Sequence, residues 1–397
     1  MKGRGLYNIF VVLLLVFFWR TADFWYNASY FADVENAGAL LYVALEGVEM
    51  LTLFIMVFSP KYRCQNNRIL NLCFLWEMLM LVVLSINGTP FSQYSKCLAW
   101  PLFFQASYLF VRYDTRLLKK FRKVFSLLAV MGGIYMVLAL RLKDLESQTN
   151  MVYFCLLTFP MLLLTPQKRQ RYFLLILSTF AAFLSMKRSM ILSFALFWGI
   201  IEIKYLLSKG RKSYAIVLSA VMIIAVYGSF NVADDVTGGH LSERLNIGNN
   251  EDEDEDEDIT NGREAIYLTT TEMIMSSSTA HKILGNGHNA VRRDSLLNIS
   301  AHNEFLEIIY DYGIIMLFLY LCLWVYVLKQ WYYHFRNNTP YFVPYTLSVC
   351  LFGVMAMVSQ LVLYCSYFLY LVMFWGITAA LRDIQESKSK MSKNKNI

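Results

Sequence analysis

Apolar runs of about 20 residues recur along almost the whole chain, and each is long enough to cross a bilayer as a helix. Lipid offers the backbone no hydrogen-bonding partners, so a chain of this kind must cross it as helices. Charged residues are 16% of the 397 residues, well below the roughly 25% of a soluble domain. The sequence therefore predicts an all-α polytopic membrane protein of about 12 transmembrane helices. The spans are expected near residues 6–24, 38–58, 68–86, 96–112, 121–140, 150–165, 171–186, 189–207, 213–230, 304–329, 342–359 and 362–381.

One long polar interval, residues 231–303, interrupts these runs. It contains 14 acidic and 5 basic residues and four of the five histidines, His240, His281, His288 and His302. With this interval counted as one part, the chain has four expected parts. We expect nine spans within residues 1–230, one large loop at 231–303, three spans within 304–381 and a basic, unstructured tail at 382–397.

The basic residues indicate the orientation in the membrane. Every second loop is rich in lysine and arginine, which is the bias of cytoplasmic loops. Both ends of the chain are therefore expected in the cytoplasm and the polar interval outside, and the net charge of +7 needs no nucleic-acid partner. One outer turn opposes this bias, because Lys187 and Arg188 join the seventh and eighth spans. They are either anchors that reach to the interface or an anion site at the outer face, and the sequence leaves both open.

Common catalytic motifs are missing from the sequence. It has no P-loop, no HExxH zinc motif and no GxSxG nucleophile turn, and its seven cysteines form no CxxC pair. The acidic run from Glu251 to Asp258 contains DxD patterns, which hold a metal in sugar-nucleotide transferases. Here they follow from simple alternation, and a solvated stretch is the default interpretation. We therefore expect neither a metal nor a cofactor.

Arginines and histidine beside the bilayer remain as reactive groups. A guanidinium group presents a planar fork of donors that matches phosphate, and imidazole accepts a proton near neutral pH. The outer compartment lacks ATP, so a synthetic reaction there needs a substrate that is already activated. These groups suit a lipid-linked phosphate or diphosphate as that substrate.

Short motifs follow one another from an upstream basic turn, through the polar interval and into the tenth span. They are Ser185-Met186-Lys187-Arg188-Ser189, Asn261-Gly262-Arg263, Leu284-Gly285-Asn286-Gly287, His302-Asn303-Glu304-Phe305-Leu306 and Tyr312-Gly313-Ile314-Ile315. Together they resemble the O-antigen ligase and Wzy-type O-antigen polymerase superfamily over about residues 173–324. Many relatives carry a second glycine three residues after the first in the last motif, where this chain has Met316.

The resemblance implies a metal-independent glycosyltransferase, which would take a saccharide from an undecaprenyl-diphosphate carrier and invert the anomeric centre. Arg188 and Arg263 would stabilise the departing diphosphate, and His302 would activate or position the acceptor hydroxyl. The alternative interpretations, a helix cap for His302 and an ordinary loop charge for Arg263, remain open. His281 and His288 match no motif position and are secondary. The expected substrate site is completed by Lys187, Gly285, Gly287, Arg292, Arg293 and Asn303.

The leading interpretation is a polysaccharide polymerase of the O-antigen or capsule type in a bacterial plasma (inner) membrane. Its expected partners are the lipid-linked saccharide, membrane lipid and a chain-length regulator protein. The runner-up is an O-antigen ligase, which transfers the glycan to lipid A core, and a third kind of relative transfers glycan to protein. A lipid-linked oligosaccharide flippase also fits the topology. Transporters, however, usually have repeated halves with polar sites near mid-membrane, whereas polar residues here gather on one outer loop.

Overall fold

The computed structural model describes residues 68–90, 93–141, 151–184, 187–209, 263–295, 300–359 and 365–394, besides the isolated positions 8, 11, 51 and 361. Within these ranges the chain is helical and contains no strand. Every predicted span in these ranges contains a helix. Outside the described residues, apart from the isolated positions, lie the predicted spans at 6–24, 38–58 and 213–230 and the run from Glu251 to Asp258. The number of twelve spans therefore stays a prediction.

The helices are given in chain order. They are α1 (Arg68–Ile86), α2 (Tyr94–Tyr113), α3 (Leu117–Arg141), α4 (Met151–Leu156), α5 (Phe159–Leu162), α6 (Lys168–Leu184), α7 (Arg188–Lys209), α8 (Arg263–Ser276), α9 (Thr279–Leu284), α10 (Ala290–Asp294), α11 (Glu304–Arg336), α12 (Phe342–Val358) and α13 (Cys365–Asn394).

Among the described residues, four helical segments are long and apolar enough to cross a membrane. They are Arg68–Ile86, Ser189–Ser208, Glu304–Arg336 and Tyr367–Ser387. The shorter apolar helix α12 accompanies them. These segments make the chain a helical membrane protein, as the apolar runs predict.

The chain forms two compact units. The first comprises Met1–Val124, Arg263–Leu328 and Ala356–Ile397, and the second comprises Phe125–Gly262 and Lys329–Met355. In the second unit, α6 packs against α7, and the indole of Trp198 donates a hydrogen bond to the Thr179 hydroxyl at 3.1 Å.

The core of the first unit forms where α13 packs along α2. A Cβ added at Gly376 would lie 2.5 Å from the Phe104 carbonyl oxygen, so the absence of a side chain permits this close approach. Trp76 of α1 packs edge-on against Trp100 of α2, with ring centroids 5.0 Å apart. These contacts hold α1, α2 and α13 together in this unit.

The C-terminal tail differs from the expectation of an unstructured segment, because α13 continues as far as Asn394. Two contacts stabilise the start of this extension. Arg382 and Glu386, one turn apart, form an ion pair at 2.7 Å. The Tyr108 hydroxyl donates a hydrogen bond to Asp383 at 2.5 Å. The tail thus extends a packed membrane helix, which removes the cost of helix nucleation.

Helix α11 contains a sharp break that the prediction of a single span over 304–329 missed. Gly313 has φ 82° and ψ 175°, and this conformation divides α11 into a short N-terminal part and a long apolar part. The part from Ile314 to Arg336 is about 34 Å long at roughly 1.5 Å per residue, which alone suffices to cross a bilayer. The N-terminal part, Glu304 to Tyr312, is therefore available to build a site at the membrane surface.

Candidate functional site at the broken helix

The N-terminal part of α11 carries three buried carboxyl groups. Glu304, Glu307 and Asp311 are each at most 1% exposed. Their spacing places all three along one stripe of the helix. Each accepts hydrogen bonds from a different partner, which satisfies groups that would be costly to bury alone. Glu304 accepts from the Tyr320 hydroxyl at 3.0 Å, and Glu307 accepts from the Ala301 amide at 2.6 Å.

The Gly-x-Gly turn, Gly285 to Gly287, packs directly on the break in α11. A Cβ at Gly285 would lie 2.2 Å from the carbonyl oxygen of Asp311, and a Cβ at Gly313 would lie 2.2 Å from that of Ile283. The two glycines have φ 75° and 82°, a region that favours glycine. The motif glycines thus permit two backbone segments to cross in contact, and Met316 is fully buried just beyond this crossing.

Backbone amides of the turn cap the broken helix. The amide of Asn286 donates to the Tyr310 carbonyl at 3.0 Å, and the amide of Gly287 donates to the Asp311 carbonyl at 2.9 Å. A helix break leaves such carbonyls without intrahelical donors, and an uncapped carbonyl in a buried position is costly. The amides of the turn therefore supply hydrogen-bond donors to the carbonyls that lack them at the helix break.

The side chain of Asp311 holds the segment after the turn. Its two carboxylate oxygens accept hydrogen bonds from the amides of Asn289 at 2.9 Å and Val291 at 3.0 Å. Asp311 thereby caps the start of α10, where Asn289 has a left-handed conformation. A small apolar core closes over this contact, consisting of Ala290, Val291, Ala301 and Tyr310 with Met273, Ile274 and Leu306 packed against it.

The two arginines expected in the substrate site lie on α10. Both side chains are exposed. Arg293 donates to Asp294 at 2.7 Å and to the Asn286 carbonyl at 3.1 Å, so its guanidinium braces the Gly-x-Gly turn. The hydrogen bond with Asp294 raises the pKa of Arg293. Arg292 is exposed beside it.

His302 lies immediately before α11 in an unusual backbone conformation. Its φ is 50°, in the left-handed region, and the residue is exposed. Asn303 follows and caps the helix, because its side-chain oxygen accepts from the amides of Phe305 at 3.0 Å and Leu306 at 3.3 Å. The helix cap, which the sequence left open for His302, is made by Asn303, and His302 is exposed.

Arg263 is the first residue of α8, and its side chain lies outside the described residues. One turn later on the same helix, the hydroxyl of Tyr267 donates to the carbonyls of Met357 at 2.9 Å and His302 at 3.4 Å. Residues four apart on a helix are neighbours on one face. The beginning of α8, where Arg263 lies, and His302 are therefore close in the first unit.

Lys187 and Arg188 lie in the second unit. Arg188 begins α7, and its side chain lies outside the described residues, whereas Lys187 is partly exposed at the preceding position. The structure thus brings the beginning of α8, the Gly-x-Gly turn, Asn303 and His302 together in one unit, and Lys187 and Arg188 belong to the other. The role of Arg188 stays a prediction.

His288 differs from His302 in its surroundings. Its Nδ1 lies 2.6 Å from the Tyr312 hydroxyl and 3.5 Å from the Cys97 sulfur. Burial, together with the nearby charge of Lys96, lowers the pKa of His288 from 6.5 to about 4. His288 thus bonds to Tyr312 beside the break in α11, and its secondary place in the candidate site stays a prediction.

Over the described part of the chain, no group of three or more histidine, cysteine, aspartate or glutamate side chains could hold a metal ion. The carboxyl groups of Glu307 and Asp311 are instead hydrogen-bonded to backbone amides.

Tyr267, Glu307 and Asp311 were not among the site residues predicted from the sequence. The two carboxylates could have been found, because acids at positions 304, 307 and 311 form a helical stripe in an otherwise apolar segment. Tyr267 gave no such signal among the 26 tyrosines of the chain. Its role depends on a contact between residues that are far apart in sequence.

Comparison with known proteins agrees with the motifs. Residues 173–321 match the family model described as O-Antigen ligase, close to the segment in which the motifs occur. No curated protein and no solved structure matches the chain. The matched segment contains Arg188, Arg263, the Gly-x-Gly turn, His302 and the break at Gly313. Residues 173–321 of this membrane protein are thus similar to the O-antigen ligase family, and the match supports membrane glycosyl transfer of the ligase or polymerase type at the level of the family.

Proposed function

We propose that the protein is a polysaccharide polymerase. It transfers a growing glycan from an undecaprenyl-diphosphate carrier to a sugar hydroxyl of the next lipid-linked repeat unit. The observation that carries the proposal is the exposed His302, held in a left-handed conformation next to the helix that begins with Arg263. Strained residues persist where surrounding contacts hold them, and they cluster at functional sites.

The reaction needs a base and positive charge but no redox step. The acceptor hydroxyl passes its proton to the imidazole of His302 as its oxygen forms a bond to the anomeric carbon. The bond from that carbon to the diphosphate oxygen breaks, and the lipid diphosphate leaves with the electron pair. Arg188 and Arg263 stabilise the charge on the leaving group. Attack from the opposite face inverts the anomeric centre.

The required chemistry fits the surroundings of His302. His302 is exposed. Histidine serves as a general base in many enzymes, and such a base contributes roughly 10²- to 10⁴-fold to a rate. The apolar part of α11 starts at Ile314, 12 residues after His302. A lipid-linked donor in the bilayer would thus present its diphosphate near His302. A chain-length regulator protein belongs to the same proposal as an accessory partner.

An O-antigen ligase is the second candidate, because the matching family model has that description. The two functions differ in the acceptor, so reconstitution separates them. We expect the purified protein in liposomes to convert a lipid-linked repeat unit alone into a ladder of longer products. A strict requirement for lipid A core would identify a ligase. Movement of the lipid across the bilayer without new glycosidic bonds would identify a flippase.

Substitution of one histidine tests the proposed base. His302→Ala should abolish ladder formation, with normal membrane insertion and elution on size-exclusion chromatography. His281→Ala is the matched control, since His281 is an exposed histidine of the same loop without a motif position, and it should keep wild-type activity. Wild-type product lengths from His302→Ala would refute the assignment.

A further inference from the structure

The backbone at His302 is held on both sides. On the N-terminal side, the buried amide of Ala301 donates to Glu307 Oε1 at 2.6 Å. On the C-terminal side, Asn303 caps α11. Tyr267 reaches the carbonyl of His302 itself, at 3.4 Å. A left-handed histidine needs such support, because non-glycine residues seldom adopt this conformation.

Tyr267 also connects three parts of the first unit. Its hydroxyl is shared between the carbonyls of His302 and Met357, so α8 is attached both to the start of α11 and to the end of α12. Arg263 lies one turn before Tyr267 on α8. The position of this tyrosine therefore sets the distance from the beginning of α8 to His302.

Glu307 contributes from inside the unit. It is 1% exposed and belongs to the first turns of α11, so its carboxylate is fixed relative to the helix axis. The Ala301 amide donates to Glu307 Oε1 at 2.6 Å, a short hydrogen bond between buried groups. It fixes the residue before His302 relative to the helix that follows.

We propose that Tyr267 and Glu307 are positioning residues, which hold the imidazole of His302 and the beginning of α8 in the geometry for glycosyl transfer. The inference rests on the proposed function, because it takes His302 as the base. Neither residue donates or accepts a proton in the reaction. Tyr267 supports the His302 carbonyl from α8, and Glu307 supports the preceding amide from α11.

The first test is Tyr267→Phe, which removes one hydroxyl and keeps the ring. We expect kcat to fall about five- to tenfold, the equivalent of one hydrogen bond, and KM for the lipid-linked repeat unit to stay within about twofold because ground-state binding is intact. Thr271→Val is the matched control. Thr271 lies one turn further along the same helix, and among the described residues its hydroxyl bonds only to the Tyr267 carbonyl. The kcat of Thr271→Val should therefore remain at the wild-type value.

The second test compares two substitutions of Glu307. Glu307→Gln keeps an oxygen that can accept from the Ala301 amide, so it should retain at least about half of kcat, whereas Glu307→Leu should lose roughly tenfold or more. If Glu307→Gln keeps the activity that Glu307→Leu loses, the reaction needs the hydrogen-bond acceptor at this position and not a negative charge. Glu307→Gln as impaired as Glu307→Leu would remove Glu307 from the proposal.

The outcomes distinguish the two levels of inference. If His302→Ala is inactive and Tyr267→Phe has wild-type kcat, the positioning role is wrong and the proposed function stands. If His302→Ala retains wild-type activity, both are wrong. A Tyr267→Phe variant that raises KM and leaves kcat unchanged would also overturn the positioning role, because it would show a substrate contact instead.

Discussion

Replacing Gly285 with alanine tests whether the Gly-x-Gly turn holds the broken helix together. The added methyl group would lie 2.2 Å from the Asp311 carbonyl oxygen and 2.4 Å from the Tyr312 Cα. Both are backbone atoms of α11, which cannot move aside as a flexible side chain would. The turn must therefore lift away from the break at Gly313.

The expected cost combines three effects. Alanine at φ 75° and ψ −178° occupies a region that is essentially restricted to glycine, at about 1–3 kcal/mol. Overpacking against backbone adds about 1–3 kcal/mol. Lengthening the hydrogen bonds from Asn286 and Gly287 to the α11 carbonyls costs about 1 kcal/mol each. The sum, about 4–8 kcal/mol, is a large part of the roughly 5–15 kcal/mol that stabilises a typical protein.

The assay is thermal unfolding of the purified protein in detergent, followed by ladder formation at a temperature where the variant is folded. Gly285→Ala should melt far below the wild type and lose activity. Gly199→Ala is the matched control, because a Cβ there meets no atom within 4 Å in helix α7, and alanine should leave the melting temperature unchanged or raise it slightly. An unchanged melting temperature for Gly285→Ala would refute the crossing of Gly285 and Gly313 as described.

Three further predictions concern chemistry and pH. Arg263→Lys should lower kcat at least tenfold in the ladder assay, because an ammonium group cannot reproduce the guanidinium fork on a diphosphate, and normal turnover would exclude a bidentate role. EDTA should leave ladder formation unchanged, whereas a loss restored by a divalent cation would introduce a metal into the reaction. The pKa of His288 is about 4 in the folded chain and near 6.5 in the unfolded chain. Between pH 6.5 and pH 4 the unfolded chain therefore binds more protons than the folded chain, and the folded state loses stability as the pH falls through this range. The melting temperature should therefore fall less between pH 7 and pH 4 in His288→Gln than in the wild type, and equal slopes would contradict the burial of His288.

The sequence predicted helices well in the described residues because transmembrane segments are set by local apolar length. The predicted span 68–86 coincides with α1, and the predicted span 189–207 falls within α7. The motif glycines were also visible in the sequence. Their contact was not, because the crossing of Gly285 and Gly313 joins segments 28 positions apart through backbone atoms alone.

The hydrogen bonding of the buried carboxyl groups could not be read from composition. Glu307 and Asp311 lie in a segment that hydropathy assigns to a membrane span, yet each carboxyl group accepts amide hydrogen bonds that offset the cost of its burial. The tail after Asp383 is polar enough to suggest disorder, but it continues an already packed helix. In both cases the deciding interaction is with residues elsewhere in the first unit.

The sequence by itself predicted that the chain is helical and crosses a membrane, and it placed Arg188, Arg263 and His302 in motifs that resemble a known family. These properties follow from the length of local apolar runs and from residue type, which can be read without knowledge of tertiary contacts. Only the tertiary structure decided that α11 breaks at Gly313, that His302 is exposed in a left-handed conformation, and that Tyr267 attaches it to the helix of Arg263. The physical reason is that strain at one residue is maintained by hydrogen bonds from residues that are distant in sequence, and no local pattern records them.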